Sequence, residues 1–77
     1  MSPKMLSELK PGRKGRIIKI LGGGTFQRRI LDMGLVKGAE IEMERVAPLG
    51  DPMEIKIKGY HLSLRKDEAA KIFVEAE

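Results

Sequence analysis

The chain has 77 residues, enough for one small domain near the lower limit at which an apolar core holds without staples. With no cysteine and a single histidine, it lacks the parts for disulfides, thiolate metal sites and the usual Ser-His or Cys-His nucleophile pairs. Fifteen Lys and Arg against eleven Asp and Glu leave a net charge of +4. That balance favours an anionic partner without forming the charge blocks of a nucleic-acid tail.

No repeat, low-complexity tract or linker interrupts the chain, so residues 1–77 read as a single domain with its core at about 5–75. Met1-Ser2-Pro3-Lys4 is followed by no apolar run of signal-peptide length, and no stretch is long enough for a membrane-spanning helix. The expected location is the cytoplasm, with any place at the inner face of the cytoplasmic membrane coming only through a partner.

In chain order, Met5-Leu6-Ser7-Glu8-Leu9 reads as a short helical turn halted by Pro11-Gly12. Arg16 to Leu21 carries four aliphatic residues and is expected as the first strand, buried on much of both faces. Gly22-Gly23-Gly24 breaks it. Thr25 is placed as the N-cap of a helix of about two turns, with Phe26, Ile30 and Met33 on one stripe and Leu31 widening it. Gly34 falls where a left-handed residue closes a helix, and Leu35 can fold back on the last turn.

Val36-Lys37-Gly38 turns the chain into a second strand, Ala39 to Val46, in which Ile41 and Met43 alternate with Glu40, Glu42 and Glu44. The two-proline turn Ala47-Pro48-Leu49-Gly50-Asp51-Pro52 leads to a third strand, Met53 to Lys58. With Ala47 set opposite Met53, the expected outward pairs are Glu44 with Lys56 and Glu42 with Lys58. Gly59 marks a tight turn into a fourth strand through Tyr60, Leu62 and Leu64. A helical turn at Lys66 to Ala70 and a last strand at Ile72 to Val74 complete the pattern. The chain is therefore mainly β: a small barrel of about five strands, one helix inserted after the first strand, and a helical turn near the C-terminus.

Little in this inventory supports catalysis. His61 alternates outward beside Ser63 and Arg65, and it is the one candidate metal ligand, with no partner at ligand spacing. Gly22-Gly23-Gly24-Thr25 precedes a helix but lacks both the P-loop ending and the dinucleotide-binding glycine spacing, so these glycines read as a strand-to-helix turn. Arg28 and Arg29 side by side suit an acidic protein surface or a phosphate, and Arg28 fits a solvated helix face equally well. Arg29 lies nearer the apolar stripe, where it can lie over the barrel. Ile30 and Leu31 are about 100° apart on a helix, so a narrow helix cannot bury both. The exposed one, beside the two arginines, would be an apolar spot rimmed by positive charge.

Four ordered blocks then carry a resemblance. They are Leu6-Ser7-Glu8-Leu9-Lys10-Pro11-Gly12 with Gly15-Arg16-Ile17; Arg29-Ile30-Leu31-Asp32-Met33-Gly34-Leu35 with Gly38; Ala47 to Pro52; and Leu62-Ser63-Leu64-Arg65-Lys66-Asp67-Glu68-Ala69. Together they resemble the FeoA family, the small cytosolic component of bacterial ferrous iron uptake, over nearly the whole chain from about Leu6 to Glu75. The resemblance implies an SH3-like β-barrel, similar also to the C-terminal domain of DtxR-type iron-dependent repressors.

It further implies a non-enzymatic interaction module that acts on FeoB, a membrane transporter with a cytosolic GTP-binding domain. Transition-metal binding is part of what the family suggests, with ferrous iron as a weakly held divalent ion and no dedicated cofactor. The candidate partner-binding residues are Arg28, Arg29, Ile30 and Leu31, with Pro48 and Leu49 as a second location; Gly34, Gly38, Gly50 and Pro52 are expected to be structural turns. Two other readings follow from the residues. One is an RNA-binding basic barrel opened by Gly12-x-x-Gly15-x-Ile17, opposed by interleaved glutamates and scarce stacking aromatics, so no nucleic acid is expected. The other is a metal-responsive regulator built on His61 and nearby carboxylates.

Overall fold

The computed structural model describes residues 3–76. Its elements are β1 (Pro3–Met5), a 3₁₀ turn (Leu6–Glu8), β2 (Lys14–Ile20), α1 (Gly24–Asp32), β3 (Glu40–Val46), β4 (Met53–Ile57), β5 (Tyr60–Leu64), α2 (Lys66–Ala69) and β6 (Ile72–Ala76). All strands join one antiparallel sheet of six, in the order β1-β6-β2-β3-β4-β5. The strand absent from the sequence reading is β1. Three residues beginning with Pro and Lys carry no alternation, and the partner that makes them a strand lies at the far end of the chain, with Pro3 opposite Glu75.

Alternation decides which side of each strand is dry. Ile41 and Met43 on β3, and Met53, Ile55 and Ile57 on β4, are buried, and Ile72 and Val74 of β6 join them. In β2 the expectation of burial on both faces fails: only Ile17 is fully buried among its isoleucines, and Leu21 is exposed beyond the strand end. The pairing with β6 shifts between Ile17 and Lys19. That extra residue lets both Ile17 and Ile20 face the core although an odd number of positions separates them.

The β3–β4 hairpin is also corrected. Glu42 faces Lys56 and Met43 faces Ile55, a pairing displaced by two residues from the expected one. A two-residue displacement preserves which side chains are inward, because the pleat repeats every two residues. One residue of it arises at the loop, where Val46 rather than Ala47 faces Met53; the other comes from a bulge between Met43 and Arg45, with Arg45 facing Glu54 and exposed. Such a bulge leaves no mark in a hydrophobic pattern.

α1 begins two residues earlier than a cap at Thr25 implies. Gly23 is the N-cap, and the Gln27 amide donates to its carbonyl at 2.9 Å. Thr25 therefore sits inside the helix. Among the described residues no side chain caps the first helical N–H groups; the entry is fastened instead by the Gln27 side chain, which donates to Ile20 O at 3.1 Å and Gly22 O at 3.2 Å.

The helix end has the expected chemistry. Gly34 has φ +92°, its N–H donates to Leu31 O at 2.9 Å, and the Leu35 N–H donates to Ile30 O at 3.2 Å. This is the Schellman arrangement, and it delivers Leu35 to a fully buried position. The Tyr60 hydroxyl donates to Met33 O, so β5 braces the same turn, and a Cβ at Gly34 would overlap that hydroxyl. Gly34→Val should cost about 2–3 kcal/mol, combining left-handed strain with loss of the Tyr60 bond. Chemical denaturation of this variant and of Tyr60→Phe checks the division: the tyrosine change alone should cost about 1 kcal/mol.

Candidate functional site

α1 is set on the sheet by one face. Ile30 is fully buried, while its neighbour Leu31 is 47% exposed. Ile30 is therefore removed from the partner-binding set: its side chain belongs to the core, where no partner can reach it. Arg29 stays exposed but is engaged within the chain. Its guanidinium pairs with the Glu68 carboxylate of α2 and lies 5.8 Å from the centre of the Phe26 ring. Lys71 Nζ stands 4.8 Å from the same ring centre. Two cations thus lie over the Phe26 ring, and Gly22 leaves room for it, since a Cβ there would come within 2.8 Å of the ring.

Glu68 holds this junction together. One carboxylate oxygen accepts the Arg65 N–H at 2.9 Å and the other accepts from Arg29. The backbone hydrogen bond is the main reason its carboxyl lies below the ordinary value of 4.5; partial desolvation opposes the shift, and the hydrogen bond and charge of Arg29 add to it. Glu68 was missed in the sequence, although the spacing Arg65-x-x-Glu68 at the start of a helical turn carries the signal of a carboxylate reaching back to its cap. Arg28, by contrast, is exposed and makes no hydrogen bond or ion pair among the described residues. The same helix therefore offers solvent Leu31 and Arg28 together.

Pro48 and Leu49 lie elsewhere, in the loop between β3 and β4. The Ala47 N–H donates to Pro52 O at 3.1 Å, the Gly50 N–H to Ala47 O at 2.7 Å, and the Asp51 carboxylate accepts the Lys66 N–H at 3.1 Å. The Asp51–Pro52 peptide is cis. These bonds tie the loop to the start of α2, leaving Pro48 exposed and Leu49 93% exposed at the tip. Gly38 and Gly50 both sit in turns at positive φ, and the Gly38 N–H donates to Ile17 O at 2.7 Å. His61 is exposed on β5 with its Nδ1 against the Glu44 carboxylate. No three His, Asp or Glu groups converge as a metal site among the described residues.

The family model of the FeoA domain matches residues 4–76. This chain belongs to the FeoA domain family. It is 47% identical over 70 residues to a fusion of Fe(2+) transport protein A with the Fe(2+) transporter FeoB from Porphyromonas gingivalis, matching 91% of this chain. The chain spans only 8% of the length of that fusion protein. Among solved structures, a crystallised FeoA described as an iron uptake regulatory protein superposes with a TM-score of 0.91 at 32% identity, covering 99% of this chain and all of that one. The FeoA of Stenotrophomonas maltophilia, a prokaryotic SH3 domain protein crystallised with zinc, is 28% identical over 94% of this chain and 93% of that one, with a TM-score of 0.77.

The sheet with its inserted α1 is therefore an SH3-like fold, and the FeoA domain is one associated with ferrous iron transport. The repressor likeness extends to the fold. The IdeR of T. acidophilum superposes with a TM-score of 0.88 at 22% identity, over all of this chain and 35% of that one. No described helix of this FeoA chain is long and apolar enough to cross a membrane.

The lowered Glu68 carboxyl fixes the sign of one pH effect. A group whose folded pKa lies below its unfolded one contributes stability that is present above the unfolded value and lost as pH falls through the folded value. Glu68→Gln should therefore be less stable than the parent at pH 7, and the gap should close as pH drops below 4.5. Thermal melts of both proteins across that range check it; a gap that stays constant contradicts the role of the charge.

Proposed function

We propose that this chain is a non-enzymatic interaction module of ferrous iron uptake, acting in the cytoplasm on the cytosolic GTP-binding part of a FeoB-type transporter. The observation that carries the reading is the pairing on α1 of a half-exposed Leu31 with an unbonded Arg28, on a helix whose rotation the buried Ile30 fixes. An apolar anchor beside an arginine is the composition of an interface centre, and a preset geometry lowers the ordering cost of binding. The fusion of the same domain to a FeoB transporter in a relative supports the choice of partner.

The RNA reading finds no support in the register. Across the outer face, Lys14 stands opposite Glu42 and Glu42 opposite Lys56, so the basic residues are interleaved with acid rather than forming a stripe for phosphates. The metal-switch reading has only the His61–Glu44 pair.

Titration of the cytosolic part of the cognate transporter, with and without guanine nucleotide, tests the proposal. The parent should bind at tens of micromolar or tighter. Arg28→Glu and Leu31→Ser should each weaken binding about tenfold, or ~1.4 kcal/mol, with melting temperatures near the parent's because neither side chain holds the core. Absence of parent binding sinks the reading. Parent binding with both variants unaffected moves the contact to the Pro48–Leu49 loop.

A further inference from the structure

The sheet ends in two edges of unequal character. β1 is three residues long and contains Pro3 and Lys4, two of the devices that keep an edge from pairing further. β5 runs five residues, Tyr60-His61-Leu62-Ser63-Leu64, with no proline, no lysine, no acidic residue and no shift in its register with β4. By the same criteria it is an open template.

Its register shows which groups are available. Ile57 and Tyr60 close a two-residue turn in which Lys58 has φ +50° and Gly59 φ +86°, the I′ geometry. The closing pair of such a turn exchanges both hydrogen bonds, and alternate pairs follow suit. Tyr60, Leu62 and Leu64 are thus bonded to β4, while His61 and Ser63, opposite Lys56 and Glu54, aim their N–H and C=O groups away from the sheet. Among the described residues no turn or loop backbone group meets them. These four groups lie symmetrically about Leu62.

We propose that β5 pairs antiparallel with β5 of a second copy of this chain, about a two-fold axis through Leu62. In that register His61 faces the second copy's Ser63 and Ser63 faces its His61, which makes all four hydrogen bonds. Leu62 meets its own counterpart, and Tyr60 meets Leu64, extending the apolar inner row without opposing like charges. Sliding the pairing by two residues one way sets Ser63 against Gly59 in the turn. Sliding it the other way sets His61 against Arg65, whose N–H is already given to Glu68. One register therefore satisfies the edge. The proposal is independent of the transporter reading, since β5 and the exposed side of α1 use different residues.

The chain lacks cysteine, so single introduced cysteines report the axis directly. Leu62→Cys should form a covalent dimer under mild oxidation, because the directly opposed Cα atoms of a non-hydrogen-bonded pair lie within disulfide reach. His61→Cys should not, because its counterpart is displaced to face Ser63. Sedimentation of the parent up to millimolar concentration should show a monomer–dimer equilibrium. Ser63→Pro should weaken self-association at least tenfold while keeping the fold, since its N–H serves no partner within the chain. A parent that stays monomeric, a Ser63→Pro protein that dimerises like the parent, or His61→Cys crosslinking as readily as Leu62→Cys each overturns the proposal. If Ser63→Pro does not fold, the two cysteine variants still decide.

Discussion

Complete burial of Ile30 fixes the rotation of α1 about its axis, and most of the proposed partner face follows from that constraint. Burying an isoleucine side chain contributes roughly 1.5–3 kcal/mol, more than any single surface contact of the helix can offset. Adjacent helical positions differ by about 100°, so the burial of Ile30 turns Leu31 outward. The reversal at Gly34 then buries Leu35, which holds the last turn from the other side. A short helix that would be marginal alone is stabilised at both ends by tertiary contacts rather than by its own propensity.

Charge divides into structural and available parts along the same helix. Arg29 is committed to Glu68 and the Phe26 ring, and Glu68 is committed to the first turn of α2. This links the inserted helix to the far end of the chain, where α2 also receives the β3–β4 loop through Asp51 and Lys66. Arg28 carries the same charge one position earlier and serves none of these contacts. Neighbouring arginines thus take different tasks because only one of them lies near the apolar stripe.

Much of this was legible in the sequence, and what was not has identifiable causes. Strict alternation around Met43 and Ile55 marked the hairpin and its dry face, and Gly34 with Leu35 marked the helix end. The competition between Ile30 and Leu31 for burial was visible from spacing alone, though not which would win. The two bulges, near Ile18 and near Glu44, were not legible, because an extra residue in one strand changes pairing without changing composition. β1 depends on β6 at the other end of the chain, a contact that no local pattern encodes. Thr25 misled because a good capping residue stood two positions after the glycine that the backbone used instead.

Membership of the FeoA family supplies a pathway, and the geometry supplies a face. The claim joining them is that α1 presents Arg28 and Leu31, in a fixed setting, to the transporter. Amide chemical-shift mapping during titration with the transporter's cytosolic part tests it most directly. The account predicts perturbations centred on Arg28, Leu31 and Asp32, with the Lys14, Glu42 and Lys56 amides of the sheet unmoved. Saturable binding that perturbs the β3–β4 loop or the sheet and leaves α1 unchanged would contradict it.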